Sequence, residues 1–375
     1  MRENLNIDVY RKRRRRKNFY KYFKYAIVVV LTLTFFALIW NFFIIQKMCS
    51  HDTSNYPISL SGDSVIDFQK NETGFVVLTN KQLDFYSLSG IKLRTVNNTA
   101  TLPVINSCGD KTLLYEQGGT GYSLEKGNST ITKNVIESKI ILGKVAKNGN
   151  VALVIEDEKY ACSLVIYDSS SNQIFKWNSA ENIITDFCFT DNGDGCVVAT
   201  MGAKDGVTKG TVYGLNFANN NELFKTIIGD CMPLAIKHDK GRINIICENK
   251  IVFVDGKGSI LKEKQYVDKL VKYVLTQNNY IVMLFSEESK SMANLIVYDS
   301  LGEEVAQTQF KEKIRNIDSD GRNIVVLTDN SVVCCDMQLK ILNTINNKQN
   351  VDRIICIDSF VYDISMGRVH KFALQ

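Results

Sequence analysis

The chain has 375 residues, 45% of them hydrophobic and 23% charged, with a formal net charge of +5. This composition excludes a disordered polymer, a collagen-like fibre and a disulfide-dense miniprotein, and it supplies enough apolar material for a large core. Residues 1–46 hold ten Lys/Arg against Glu3 and Asp8, leaving 35 basic and 38 acidic residues in the remainder, so the basic balance belongs to the N-terminal tail.

In chain order, the first feature is the basic run Arg11, Lys12, Arg13, Arg14, Arg15, Arg16 and Lys17. It precedes AIVVVLTLTFFALIWNFFII, residues 26–45, which contains no ionisable side chain. As a helix, this stretch rises about 30 Å, the thickness of a bilayer's hydrocarbon core. The pattern predicts one transmembrane helix over 26–46, with Trp40 at one interface and Tyr20, Tyr22 and Tyr25 at the other. The run continues through bulky WNFFIIQKM without a small-residue cleavage pattern, so an uncleaved anchor is expected rather than a signal peptide. Flanking Lys/Arg place a tail of residues 1–25 in the cytoplasm and everything beyond a linker at 47–55 outside it. The lipid bilayer is the first expected partner. The basic run then serves topology and anionic headgroups, and no nucleic-acid partner is expected.

Beyond residue 50 the apolar residues alternate or come in runs of four to six, broken by Gly, Asn and Asp. The segment LIVYDSLGEEV at 295–305 has a close relative in LVIYDSSSNQIF at 164–175. Aligning such hairpins gives units starting near Val65, Val104, Ile141, Ile184, Pro233, Val271, Ile314 and Val351, spaced by 37 to 49 residues. Each unit reads as four antiparallel strands, and strand repeats of about 40 residues predict β-propeller blades. The last unit supplies three strands, and NYPISLSG at 55–62 is placed to supply the fourth. The predicted fold is all-β, an eight-bladed β-propeller over 56–375 preceded by a single transmembrane α-helix. Seven blades are the alternative if the unit near Val104 or Val351 is malformed.

Cys162, Cys188, Cys247, Cys334 and Cys356 fall in apolar strands and read as small core hydrophobes. Cys188 and Cys196 flank the turn TDNGDG, which suggests a cross-hairpin disulfide. Adjacent Cys334 and Cys335 point to opposite faces of a strand. His51, His238 and His370 stand in unrelated contexts, and no nucleophile, phosphate-loop, zinc or calcium motif is present. No catalytic, cofactor-binding or metal residue is therefore assigned. Asn71, Asn97 and Asn128 begin Asn-x-Ser/Thr triplets that matter only where secreted proteins are glycosylated.

At the level of IVYD…G repeats across 55–374, the chain resembles pyrroloquinoline-quinone-like and WD40-like propellers. Trp occurs only at 40 and 177, so the Trp-Asp pairs of one and the Trp docking motif of the other are missing, and no cofactor is expected. A basic tail, one span and a divergent propeller together resemble membrane-anchored propeller proteins of Gram-positive bacteria known as a domain of unknown function. Two function classes follow. One is a binding or scaffolding module at the cell envelope, with an envelope protein or glycan as partner. The other is a hydrolase or lyase acting on envelope glycans at the central funnel. Polar residues midway along the innermost strands, Asp67, Asn106, Asp186, Asn316 and Arg353, are the candidate funnel lining, and a water-filled channel needs polar walls in either case.

Overall fold

The computed structural model describes residues 55–374, except 62–63, 205, 219–220, 277, 287–291 and 347–349, together with helical residues at 25, 27, 29–36 and 40. The chain divides into two compact units, 1–52 and 53–375. In the first, Thr32 and Thr34 hydroxyls donate to the carbonyls of Val29 and Leu31 at 2.8 and 2.9 Å, and Trp40 is exposed. Among the described residues no helix is long and apolar enough to cross a membrane. The expected span at 26–46 is described at only some positions, and the basic run at 11–17, Cys49 and His51 lie outside the described residues.

The second unit is a ring of eight four-stranded antiparallel sheets. Blades 1 to 7 span 65–97, 103–135, 140–179, 183–229, 233–265, 269–310 and 314–346. Blade 8 takes three strands from 351–373 and its fourth from Ile58–Ser59. That latch strand pairs Ile58 with Val369 and Ser59 with Arg368, and the Leu60 amide extends it by donating to the Gly367 carbonyl at 2.9 Å. All eight units are complete, which disposes of the seven-bladed alternative.

Burial explains why the strands of a blade read differently. The second strand of blade 1, Gly74–Thr79, is buried at every position because neighbouring sheets cover both of its faces. The fourth, Lys92–Asn97, alternates because only one face meets protein. The core lies between adjacent sheets. Blades 8 and 1 share Phe68, Phe75, Tyr86, Ile355, Tyr362 and Ile364, and blades 6 and 7 share Leu284, Leu295, Val297, Ile324 and Val326. Each such side chain contributes about 1.5–3 kcal/mol on leaving water.

The recurrent Asp-x-x-x turn between third and fourth strands has one physical cause. Asp299 Oδ1 accepts the amides of Leu301 and Glu303 at 2.8 and 2.9 Å, and Asp168, Asp255 and Asp336 repeat this geometry in blades 3, 5 and 7. The carboxylate stands in for a backbone turn bond. Gly302 closes the turn at φ +77°, where a Cβ would lie 2.5 Å from the Phe253 ring of the preceding blade.

Cys188 and Cys196 do not form the suggested bridge. Cys188 pairs with Val197 and Cys196 with Phe189, so the two side chains sit one residue out of register and point to opposite faces. All nine described cysteines are free thiols.

Candidate functional site

The first strands of the blades surround the ring axis, and seven of the eight contain a β-bulge. A bulge bends its strand and re-aims the following side chain. The residues immediately after the bulges include Asp67, Asp186, Lys272, Asn316 and Arg353. Four of the five candidate funnel residues therefore occupy one structural position, and Asn106 lies on the unbulged first strand of blade 2, Pro103–Cys108.

These side chains tie each blade to the next. From blade 1, Gln69 accepts the Ser107 amide and donates to the Ile105 carbonyl, both at 3.0 Å. Asn106 Oδ1 accepts the Val145 amide at 3.0 Å. Lys144 meets Asp186 Oδ1 at 2.5 Å, and the other oxygen of Asp186 accepts the Ile236 amide at 3.0 Å. Lys237 donates to the Thr276 carbonyl, and Lys272 to Asn316 Oδ1 at 2.5 Å. Asp318 Oδ2 accepts the Cys356 amide at 2.7 Å and meets Lys70 at 2.9 Å. Arg353 completes the circuit from blade 8 to blade 1 by donating to the Ile66 carbonyl, with Asp67 at 3.7 Å.

The channel is cationic. Lys70, Lys144 and Arg353 face Asp318, Asp186 and Asp67 across these ties, whereas Lys237 and Lys272 meet the Thr276 carbonyl and Asn316. Burial, reinforced by Arg353, lowers the Lys272 ammonium below its ordinary range, and burial does the same to Lys237. Glycoside hydrolysis needs one carboxyl that holds a proton and a second that is free to attack or activate water. Asp186 and Asp318 are instead each bound to a lysine and a backbone amide.

Two histidine clusters sit elsewhere. His238 Nδ1 lies 3.3 Å from Asp191, whose other oxygen accepts the Lys240 amide, so the carboxylate binds one blade turn to the next. In blade 8, Ser365, His370 and Asp363 converge, but hydroxyl and carboxylate both approach His370 Nδ1, at 3.0 and 3.2 Å. A relay needs the serine on one ring nitrogen and the aspartate on the other. This cluster is a core bond network, in which burial raises the Asp363 carboxyl against the bond from His370.

The two ring faces differ. One carries the turns between first and second strands and between third and fourth, which are bonded turn to turn: Glu72 N donates to Gly109 O at 2.8 Å, and Ser359 N to Asp320 at 3.2 Å. The chain enters the ring on this turn face, where Asn55 and Tyr56 donate to the carbonyls of Ser89 and Leu88 at 2.8 and 3.2 Å. The opposite, loop face carries the blade-to-blade connections and the second-to-third loops. It exposes Leu102, Val135, Ile183, Val267, Val271 and Met366, each at least 49% exposed; the turn-face end also shows exposed apolar side chains, Ile91 and Leu301 in the turns and Leu223, Leu261 and Ile341 at the starts of fourth strands. The blade 4 hairpin on the loop face is longer than its counterparts, with ten-residue strands Gly195–Lys204 and Val207–Asn216. Two clefts flank blade 6 there. One, of about 460 Å³, is polar and lined by Glu248, Asn249, Tyr266 and Asp268; the other, of about 420 Å³, is apolar and lined by Val271, Leu284, Phe285, Met292 and Ile314.

Sequence reasoning missed the lysines of the channel, because Lys in an alternating strand reads as a solvent-facing residue. It also missed the clefts, which arise from blade packing rather than from a motif.

Solved structures share the architecture. A computationally designed protein, Ika8, superposes with a TM-score of 0.63 at 15% identity, over 84% of this chain and 98% of the other. BamB from Moraxella catarrhalis gives 0.55 at 11%, over 84% and 99%, and the WD40 domain of SCAP from fission yeast 0.57 at 9%, over 84% and 96%. At these identities the likeness is one of fold. No curated protein matches the sequence. A family model described as a family of unknown function (DUF5711) matches residues 52–371, and the chain belongs to that family.

Proposed function

We propose that the chain is a single-pass, membrane-anchored propeller of the Gram-positive type, displayed outside the cytoplasm as a docking module for an envelope protein. The observation that carries this reading is the asymmetry of the ring. Two clefts, with exposed Val267 and Val271 beside them, open on the loop face, while the leading polypeptide enters on the turn face. Exposed apolar groups beside a cleft are the usual anchor points of a protein partner. The channel residues are engaged in holding blades together, which leaves the outer face as the recognition surface. The apolar stretch at 26–46 with the basic residues before it supports the anchor and its orientation.

The test is site-specific photo-crosslinking of the full-length chain in living cells. Probes at Ile183 and Val267 on the loop face should give one discrete adduct, and probes at Lys257 and Leu301 on the turn face should not. Val267→Asp with Val271→Asp should remove the adduct without changing the melting temperature. Equal adducts from both faces, or insensitivity to the two aspartates, would refute the docking face. Protease added to intact cells should digest the propeller, and its survival there would refute the placement.

A further inference from the structure

Two thiols meet inside the boundary between blades 4 and 5. Cys231 lies in the connection from the strand Glu222–Gly229 to the strand Pro233–Asp239, and Cys247 ends the strand Arg242–Cys247. Their Sγ atoms are 3.1 Å apart, and both residues are 0% exposed. A disulfide measures about 2.05 Å, so about 1 Å of side-chain movement separates contact from bond.

A few hydrogen bonds hold the backbone on both sides. Cys231 N donates to Gly229 O at 3.0 Å, Glu248 N donates to Met232 O at 3.2 Å, and the Glu248 carboxylate accepts the Met232 amide. Gly229, at φ +85°, turns the chain inward, and Gly210 leaves room where a Cβ would lie 3.1 Å from the Cys231 sulfur. The pair thus differs from Cys188 and Cys196, which register holds on opposite faces.

We infer that Cys231 and Cys247 are an oxidisable dithiol, closed to a disulfide that fastens the blade 4–blade 5 boundary. Cys231 is the attacking sulfur. The hydrogen bond from the Cys247 thiol, against burial and with help from the Lys250 ammonium, lowers the Cys231 thiol; the same bond and burial raise Cys247. The oxidant is a second disulfide, carried by a small molecule or a thiol oxidoreductase. The Cys231 thiolate attacks one of its sulfurs, forming a mixed disulfide and releasing one thiolate. Cys247 then loses its proton and attacks the Cys231 sulfur, expelling the second thiolate. One S–S bond is made and one broken, and two electrons and two protons leave with the oxidant as two thiols. Because both sulfurs are sealed, exchange proceeds while the connection at 230–232 is lifted toward the adjoining polar cleft. An oxidising surrounding follows from the placement proposed above; the pairing itself rests only on the contact.

The experiment treats purified full-length chain with oxidised glutathione, unfolds it in excess iodoacetamide and maps tryptic peptides with and without reduction. Lys237, Lys240 and Arg242 lie between the two cysteines, so the bond would join peptide 226–237 to peptide 243–250. The expected result is that linked pair, with the remaining cysteines alkylated, and a melting temperature raised by roughly 3–6 °C over the reduced chain. Cys231→Ser should abolish both the link and the response to oxidant. Recovery of both cysteines alkylated, capture of either by glutathione alone, or a link through another cysteine overturns the inference. The wild-type map decides even if the variant fails to fold. Failure of the crosslinking test with this link present would sink the docking reading alone.

Discussion

Asp186 has two obligations, a lysine on one oxygen and a backbone amide of the next blade on the other, and it is nearly buried. Asp186→Ala leaves Lys144 and the Ile236 amide without partners, and a buried group so stranded costs about 1–3 kcal/mol. Asp186→Asn should cost less, because its amide oxygen still accepts the Ile236 amide. Urea midpoints of the two variants give the order; equal midpoints would show that the Ile236 amide bond contributes nothing, and an Asp186→Asn midpoint equal to that of the unaltered chain would show that the lysine contributes nothing. The same scale shows what was legible in the letters. Asp186 stands out in the letters as polar in an apolar strand, and the structure sets it directly after the bulge of a first strand. Its double bonding was not legible, because the bulge between Ile184 and Asp186 is a property of pairing with the second strand rather than of local composition.

Among elements, the aspartate turns set the response to acid. Asp110 is held down to about 2 by hydrogen bonds from Lys111 and Lys126, and Asp157 to about 2 by the Lys159 amide and Ser163. Asp168 is lowered by its bonds from Asn172 and Asp255 chiefly by the Ser259 amide, and the Asp320 carboxyl is lowered because amides of Asn323, Arg322 and Ser359 outweigh its burial. These groups bind protons less readily folded than in the unfolded chain, where an aspartate titrates near about 3.9. Their stabilisation is complete above that value and is lost as pH falls toward about 2. Melting temperature should therefore be flat with respect to these groups from pH 7 to about 5 and fall steeply below about 4. Asp299→Ala should lower the whole curve by about 1–2 kcal/mol, since two amide bonds close that turn. A curve that falls mainly between pH 7 and 5 would assign acid sensitivity to other groups. The turns at Asp168, Asp255 and Asp299 are plain in the sequence as Tyr-Asp or Val-Asp steps, and the recurring hairpins to which they belong place each blade start to within two residues. The thiol contact was not plain, because it depends on how the connection at 230–232 folds back over a strand sixteen residues on.

For the whole molecule, closure depends on Ile58–Ser59, without which the strand Arg368–Ala373 becomes a bare edge. Deleting residues 55–60 should lower the melting temperature and produce concentration-dependent self-association, read by light scattering, as unpaired edges do. A monomeric deletion variant of unchanged stability would show that three strands suffice. The fourth strand could be read from the sequence because 351–373 shows three strand patterns and NYPISLSG at 55–62 offers one more. The clefts of the loop face could not, since their walls come from separate blades and meet only when the blades stack.

The latch also has a mechanical meaning. Any pull exerted through the leading polypeptide reaches the ring first at the bonds of Asn55 and Tyr56 to the Ser89 and Leu88 carbonyls of blade 1, and then at the two residue pairs of the latch. The seam between blades 8 and 1 is therefore the fuse of the assembly: under load these few bonds would part before any full ladder of strand pairs, and on release the strand would find its groove again with the other sheets still standing.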